Sequence, residues 1–228
     1  NIDHHAVLHA AEQIAKKGIT LEYVALDEEG SVDVNHLEIL LSNNNQTTLV
    51  SLMHINNEIG NVLDLEAVGT LCKKYGAYFH SDAVQGVGHF HLDFSALPID
   101  FLSASAHKFH GPKGIGFLYV SKALRLQSMI KGGGQERGLR AGTEAVHNIV
   151  GMATALELAY QNYDSEYQHI LEIKKYFLDQ IHAVFPEAIC NGLSGDLARS
   201  TYTLVNISLP IDQEKATILD FHLDLNLS

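Results

Sequence analysis

The sequence predicts an α/β protein whose mainly parallel sheet is flanked by helices, followed by part of a smaller α+β domain. Short apolar runs alternate with helical-period segments through the first half of the chain, the pattern of strands joined by crossover helices. Hydrophobic residues make up 46% of the 228 positions and charged residues only 18%, a composition that fills a core. Polar clusters follow several of the apolar runs, which is where ligands bind in open α/β sheets.

Val7, Ala11, Ile14 and Ala15 recur at helical spacing, and Gly18 stops that helix. Leu21 to Leu26 reads as a strand, Asp33 to Leu41 as a short helix and Thr48 to Met53 as a buried strand. Asp64 is placed to cap a helix with Val68, Leu71, Cys72 and Tyr75 on one face, and Gly76 ends it. Ala77 to His80, Phe101 to Ala104 and Gly116 to Val120 read as further strands, and His89-Phe90-His91 as a short one with both histidines on one face. After the Gly132-Gly133-Gly134 loop, an apolar-periodic helical stretch runs from about Thr143 to Phe185, bent around Asn162 to Ser165. Tyr202 to Leu209 then reads as a strand and Gln213 to Leu223 as a helix. The division expected is a large domain over residues 1–130, incomplete at its N-terminus, and a connecting helix with part of a small domain over 131–228. The chain starts on a helix and stops just after one, so it is expected to be a piece of a longer protein.

The formal net charge of −12 disfavours nucleic acid as a partner, because phosphate binding needs a basic face. No apolar run is long enough to cross a bilayer, and Asn1-Ile2-Asp3-His4-His5 does not resemble a signal peptide. Two cysteines, Cys72 and Cys190, with no Cys-x-x-Cys pair, point to a reducing compartment, the cytoplasm by default. Fourteen histidines are scattered without a recognised ligand spacing, so no metal site is expected. Gly111-Pro112-Lys113-Gly114-Ile115-Gly116 resembles a phosphate loop but lacks its Gly-Lys-Ser/Thr ending and the helix that should follow.

Four polar groups fall at strand or helix ends: His4, Asn56-Asn57-Glu58, Ser81-Asp82-Ala83-Val84-Gln85, and Ser105-Ala106-His107-Lys108. If the strands are neighbours, these converge on one cleft. Lys108 directly follows a buried strand, where partial desolvation is expected, and a desolvated amine is a nucleophile toward an aldehyde. Asp82 can pair with a protonated ring nitrogen and keep a cofactor an electron sink. Ser105 and His107 can donate to a phosphate, Gln85 and Asn57 can bind a phenolic oxygen, and His4 can stack on a ring and shuttle protons. Each also has a plainer reading. Asp82 can be a helix cap, Gln85 and Lys108 surface residues, and Asn57 the holder of a tight turn. It is their joint occurrence in order that carries weight.

At these residues the chain resembles the cysteine desulfurases, in the class V aminotransferase branch of the fold-type I pyridoxal-phosphate enzymes. The matching stretches are Asp3 to Leu8, Met53 to Gly60, His80 to Gln85, Ser105 to Lys108 with Gly111 to Gly114, and Gly132 to Gly138 with Arg140 to Thr143. The resemblance implies the large domain of that fold and pyridoxal 5'-phosphate as cofactor. It implies that Lys108 holds the cofactor as a Schiff base and moves the substrate's Cα proton, and that His4 stacks on the ring and assists proton transfer. Asp82 would pair with the pyridine nitrogen, and Gln85 and Asn57 would lie near the ring oxygen or the substrate. Ser105 and His107 would bind the phosphate, joined by Thr143 from the second subunit of a homodimer. The reaction implied converts cysteine to alanine and mobilises sulfur as a persulfide for iron–sulfur cluster or thiolation pathways, with a sulfur-acceptor or scaffold protein as partner.

The family's nucleophilic cysteine lies in a Ser-Gly-Ser-Ala-Cys loop expected a few residues beyond Ser228, and its Gly-Ala-Thr phosphate loop is expected before Asn1. Neither Cys72, on an apolar helix face, nor Cys190, before an Asn-Gly turn, is expected to replace that cysteine. These 228 residues alone are therefore expected to bind the cofactor weakly and to transfer no sulfur. Selenocysteine lyase, cysteine-sulfinate desulfinase and a non-catalytic sulfur-transfer scaffold are the alternatives.

Overall fold

A computed structural model describes residues 2–210. Four strands form one sheet in the order β1 (Leu49–Met53), β2 (Tyr78–Asp82), β3 (Phe101–Ser105), β4 (Gly116–Val120). The first two pairings are parallel and β3–β4 is antiparallel, so the sheet is mainly parallel, as the alternating pattern predicts. A polar rung crosses it: the His80 ring lies 2.8 Å from the Ser51 hydroxyl on β1 and 3.3 Å from the Ser103 hydroxyl on β3.

Parallel neighbours need a crossover, and α3 (Leu65–Lys74) supplies the one between β1 and β2. Asp64 caps it by accepting the Ala67 N–H at 2.9 Å, and Gly76, at φ 67°, lets the chain turn out of it. Its apolar face, with Val68 and Cys72 fully buried, packs with Phe79, Leu102 and Phe109 in the main core. Two further helices precede the sheet, α1 (His5–Ala15) and α2 (Val34–Ser42), the latter capped by Asp33.

The structure corrects the sequence reading in four places. Leu21 to Leu26 is not a strand; only Leu26 forms an isolated bridge, to Val32, because the region lies across an apolar groove of about 980 Å³ from β1 instead of against its edge. The crossover from β2 to β3 is a series of turns without a helix, a path that Gly86, Gly88 and Pro98 favour. His89-Phe90-His91 belongs to those turns, and a single bridge between Val87 and Phe90 is all the pairing found there. The strand expected over Tyr202 to Leu209 is reduced to β6 (Ile207–Ser208), paired with β5 (Ile189–Cys190), because the backbone at 200–201 bonds to other partners.

The long helical stretch is two helices, α4 (Val146–Gln161) and α5 (Tyr163–Val184), broken at Asn162, the expected place. α4 packs on the 3₁₀ turn (Ala106–Phe109) that follows β3, and Gly151 meets the Pro112 ring. The helix expected over Gln213 to Leu223 lies outside the described residues.

Gly69, buried in the middle of α3, lies against the Pro98 carbonyl and ring. A Cβ there collides with backbone that cannot swing aside. Gly69→Ala should lower the unfolding free energy in urea by about 1 kcal/mol net: overpacking costs about 1–3 kcal/mol, and alanine's better helix propensity returns about 1 kcal/mol.

Candidate active site

The pairing register sets Met53 beside Asp82 and Asp82 beside Ser103. Because the three strands are parallel, the chain leaves β1, β2 and β3 at one edge of the sheet. Two backbone bonds continue the ladder past the strand ends: His54 N–H donates to the Asp82 carbonyl at 2.9 Å, and Ala83 N–H to the Ser103 carbonyl at 3.0 Å. All of the predicted strand-end clusters begin at this edge.

Asp82 is 6% exposed, and its Oδ1 accepts the Val84 N–H at 3.0 Å. That bond makes the carboxylate a local turn former, so the plainer reading is partly right. It does not satisfy the charge, since Asp82 has no ion pair among the described residues. The turn it starts carries Gln85, half-buried, whose amide has no hydrogen-bond partner among the described residues. After β3, the 3₁₀ turn presents His107 and Lys108 outward while Ala106 and Phe109 point into the core. The Ser105 hydroxyl and His107 Nδ1 are 2.8 Å apart, which fixes the ring and leaves its Nε2 to a ligand.

Lys108 itself is exposed, and its amine has no ion pair among the described residues. The expected desolvation is therefore not found: the side chain leaves the surface of the 3₁₀ turn, and it is the backbone that is packed. Asn57 is half-buried and donates to Glu58 Oε1 at 2.6 Å. The tight turn is held by its neighbour Asn56, which accepts the Glu58 and Ile59 N–H groups at 2.9 and 3.0 Å and donates to the Ile2 carbonyl.

His4 is the N-cap of α1, its Nδ1 accepting the Ala6 N–H at 3.2 Å, and it is exposed. What brings it to the strand ends is Asp3, whose carboxylate accepts the Met53 N–H at 3.0 Å. Burial, and after it the nearby charge of Asp82, hold the Asp3 carboxyl above its usual pKa. Sequence reasoning assigned Asp3 no role, since an acid just before a helix reads as an ordinary helix-start residue. Thr143 is exposed on the segment before α4 and shares no hydrogen bond with the strand-end residues among those described.

His54, also unassigned from sequence, lies beneath the site. It is 4% exposed, its Nδ1 has no partner among the described residues, and burial pulls its pKa down to about 4. Its ring sits edge-on to Phe90 at 5.8 Å and directly under Gly86, where any Cβ would strike Nδ1. A histidine between an apolar strand and a polar turn carries no sequence signal that separates it from a surface residue.

Neither cysteine is an activated thiol. Burial, aided by Asp100, pushes Cys72 to about 12, and burial also raises Cys190. No group of three or more histidine, cysteine or acidic residues among those described is arranged to hold a metal ion. The groove beside β1 contains none of the eight predicted site residues.

The donor set fits pyridoxal phosphate. A buried carboxylate lacking a protein cation suits a protonated ring nitrogen, an unengaged lysine amine suits the aldehyde, and the adjacent hydroxyl and imidazole suit the phosphate.

Comparison with known proteins gives the chain's family. The aminotransferase class-V family model matches residues 1–222, and the chain belongs to that family. Cysteine desulfurase IscS of Clostridium botulinum (strain Hall) is 42% identical over 225 residues, 99% of this chain and 55% of the relative. A solved NifS-like protein superimposes with a TM-score of 0.85 at 36% identity, covering 92% of this chain and 56% of its own. Another, from Rickettsia africae, gives 0.85 at 32% identity, with 97% and 60% covered. The chain spans about half the length of the curated relatives it matches. The fold is that of the fold-type I enzymes, and the class V and cysteine desulfurase families depend on pyridoxal phosphate.

The folded chain holds a proton on His54 less readily than the unfolded chain does. As pH falls from about 6.5, its ordinary value, to about 4, the unfolded state gains a proton that the folded state lacks, so stability is lost across that window. The loss should approach about 3 kcal/mol, and urea titrations from pH 7 to pH 4 should show a shallower decline for His54→Leu than for the wild type.

Proposed function

We propose that this chain is the pyridoxal-phosphate-binding part of a cysteine desulfurase, which converts cysteine to alanine and passes the sulfur to an acceptor or iron–sulfur scaffold protein as a persulfide. The observation that carries this reading is the buried, cation-free carboxylate of Asp82 on the strand next to the one that delivers Lys108. The 37–42% identity to several cysteine desulfurases supports it.

Bound at this edge, the cofactor supplies an electron sink for the electron pair freed at a substrate's Cα. The chain's own residues do the rest. Asp82 keeps the ring nitrogen protonated by pairing with it in a low-dielectric setting. Lys108 would anchor the cofactor through Nζ, and its amine, when free, would be the base placed to take up the Cα proton. Ser105 and His107 hold the phosphate, and Thr143 would reach the same phosphate from a second subunit of a homodimer. Gln85 and Asn57 orient the ring oxygen, and His4 covers the ring face and moves protons beside it. In this reading residues 1–130 form the cofactor domain, and 131–228 the connecting helices and part of a small domain. No helix among the described residues is long and apolar enough to cross a membrane, and cytoplasmic work on a small amino acid is the setting we assign.

The test uses the full product of the gene with pyridoxal phosphate and cysteine. Alanine should form, and Lys108→Ala should lose the visible absorption of the lysine-bound cofactor and at least roughly 10²–10⁴-fold in rate, the share that proton transfer alone supplies. Absorption that survives Lys108→Ala overturns the assignment of the lysine. Turnover of selenocysteine or cysteine sulfinate with none of cysteine overturns the assignment of the substrate.

A further inference from the structure

The backbone of Lys108 is held by a group that the site described above does not include. The 3₁₀ turn ends at Phe109, and His110 follows in the left-handed region at φ 64°, so the turn has no N–H of its own for the Lys108 carbonyl. That carbonyl is met by His89, whose Nε2 lies 2.8 Å away. A carbonyl oxygen only accepts, so Nε2 carries the proton. The other ring nitrogen, Nδ1, lies 3.2 Å from the Tyr202 hydroxyl. Burial pushes Tyr202 up to about 12, so this hydroxyl keeps its proton and can donate it to Nδ1.

Both ends of this chain of bonds are fixed. Tyr202 is 4% exposed, in ring contact with Phe90 and Tyr167 as well as His89. It belongs to a strap, residues 200–202, that is tied down on both sides. Thr201 N–H donates to the Gly60 carbonyl at 2.8 Å, and the buried Lys174 amine of α5 donates to the Ser200 hydroxyl and the Thr201 carbonyl at 2.8 and 2.7 Å. On the other side, the turn bearing His89 is held by Tyr160, which accepts the Gly88 N–H and donates to the Phe90 carbonyl. Gly88, at φ 83°, lies so close to Phe109 that a Cβ would reach its side chain at 2.6 Å. The His89 turn and the Lys108 turn are thus in direct contact.

We propose that His89 and Tyr202 are positioning residues for Lys108, the Tyr202 hydroxyl fixing the His89 ring and the ring N–H fixing the lysine's backbone, so that the 200–202 strap sets where the amine stands. The proposal rests on the reading of Lys108 as the cofactor lysine. It makes the strap a shared support, because the same three residues hold the Asn56–Asn61 turn through Gly60 and the lysine turn through His89.

The experiment uses the full gene product and its His89→Gln, His89→Asn, His89→Phe and Tyr202→Phe variants, with pyridoxal phosphate as the probe. Without cofactor, ¹⁵N spectra of histidine-labelled protein should show His89 protonated at Nε2, with an Nδ1 shift that moves in Tyr202→Phe. With cofactor, His89→Phe should weaken and slow formation of the visible lysine-bound absorption by about three- to tenfold, the worth of one hydrogen bond. His89→Gln, whose amide N–H reaches about as far as Nε2, should recover most of this loss, and His89→Asn should not. Tyr202→Phe should fall between wild type and His89→Phe. A His89→Phe protein that takes up cofactor like the wild type overturns the proposal. So does rescue by Asn equal to that by Gln, or a His89 protonated at Nδ1 alone. A purely structural role predicts loss in every variant in proportion to its drop in melting temperature, with no advantage for Gln, and that result also overturns it. If the wild type forms no lysine-bound cofactor at all, the functional reading itself falls, an outcome distinct from equal uptake by wild type and variants.

Discussion

Met53, Asp82 and Ser103 stand side by side on β1, β2 and β3, and the chain leaves these parallel strands at a single edge. A one-residue slip in either pairing would turn Asp82 from its buried position to the opposite face of the sheet. The register is held by apolar burial from Val50, Leu52, Phe79 and Leu102 and by the Ser51–His80–Ser103 rung. That rung matters because it is polar and half-buried. Hydroxyls on both neighbours match the His80 ring nitrogens in this alignment, and a slip would separate them. Burial of Phe79 and Leu102 thus sets the geometry of the chemistry several residues away.

The edge is then furnished by short turns, each fastened from outside the sheet. Asn56 fastens the turn after β1, and Asn61 ties the same segment to distant parts of the chain by donating to the Glu29 carbonyl and accepting the Leu193 N–H. Asp3 fastens the start of α1 to the end of β1. Lys174 is the costliest of these fasteners. It is 4% exposed, and burial lowers its pKa, yet among the described residues its amine hydrogen-bonds just a hydroxyl and a carbonyl. Keeping such an amine in place of an apolar residue gives the 200–202 strap a unique seat, since two acceptors must face one donor.

Much of this was legible in the sequence, and the divide is physical. Elements whose signal is local were readable: α3 has its own cap, its own apolar face and its own terminating glycine, and β1 and β3 are apolar runs with abrupt polar ends. The proposed site residues around Asp82 and Ser105 were picked out for the same reason, as polar side chains at the ends of such runs. What failed depends on partners distant in the chain. Leu21 to Leu26 has strand-like composition, but pairing decides a strand, and here only Val32 answers. Residues 202–206 look like strand, but the strap before them is claimed by Gly60 and Lys174. The burial of Lys108 was misjudged because a 3₁₀ turn points its second and third residues outward while burying its first and fourth, a distinction that strand-end reasoning does not make. Asp3, His54 and His89 were missed because each acts on a backbone atom or a cavity set by residues dozens of positions away, and composition records no such contact.

The same divide bears on the charges around Asp82. A buried carboxylate next to a second one, Asp3, is an unfavourable arrangement, and it is felt at Asp3. Burial and the charge of Asp82 push Asp3 upward, while Asp3 is compensated by the Met53 N–H. His54, whose backbone N–H bonds the Asp82 carbonyl, is held neutral at physiological pH by its own burial. Among the described residues Asp82 has no ion pair: Asp3 lies nearby, and the Val84 N–H is the recorded donor to its carboxylate. A positive partner has to come from the open side of the edge, and the attraction there is strong because nothing in the described chain competes for it. In the function proposed above, a cationic ring would fill that place.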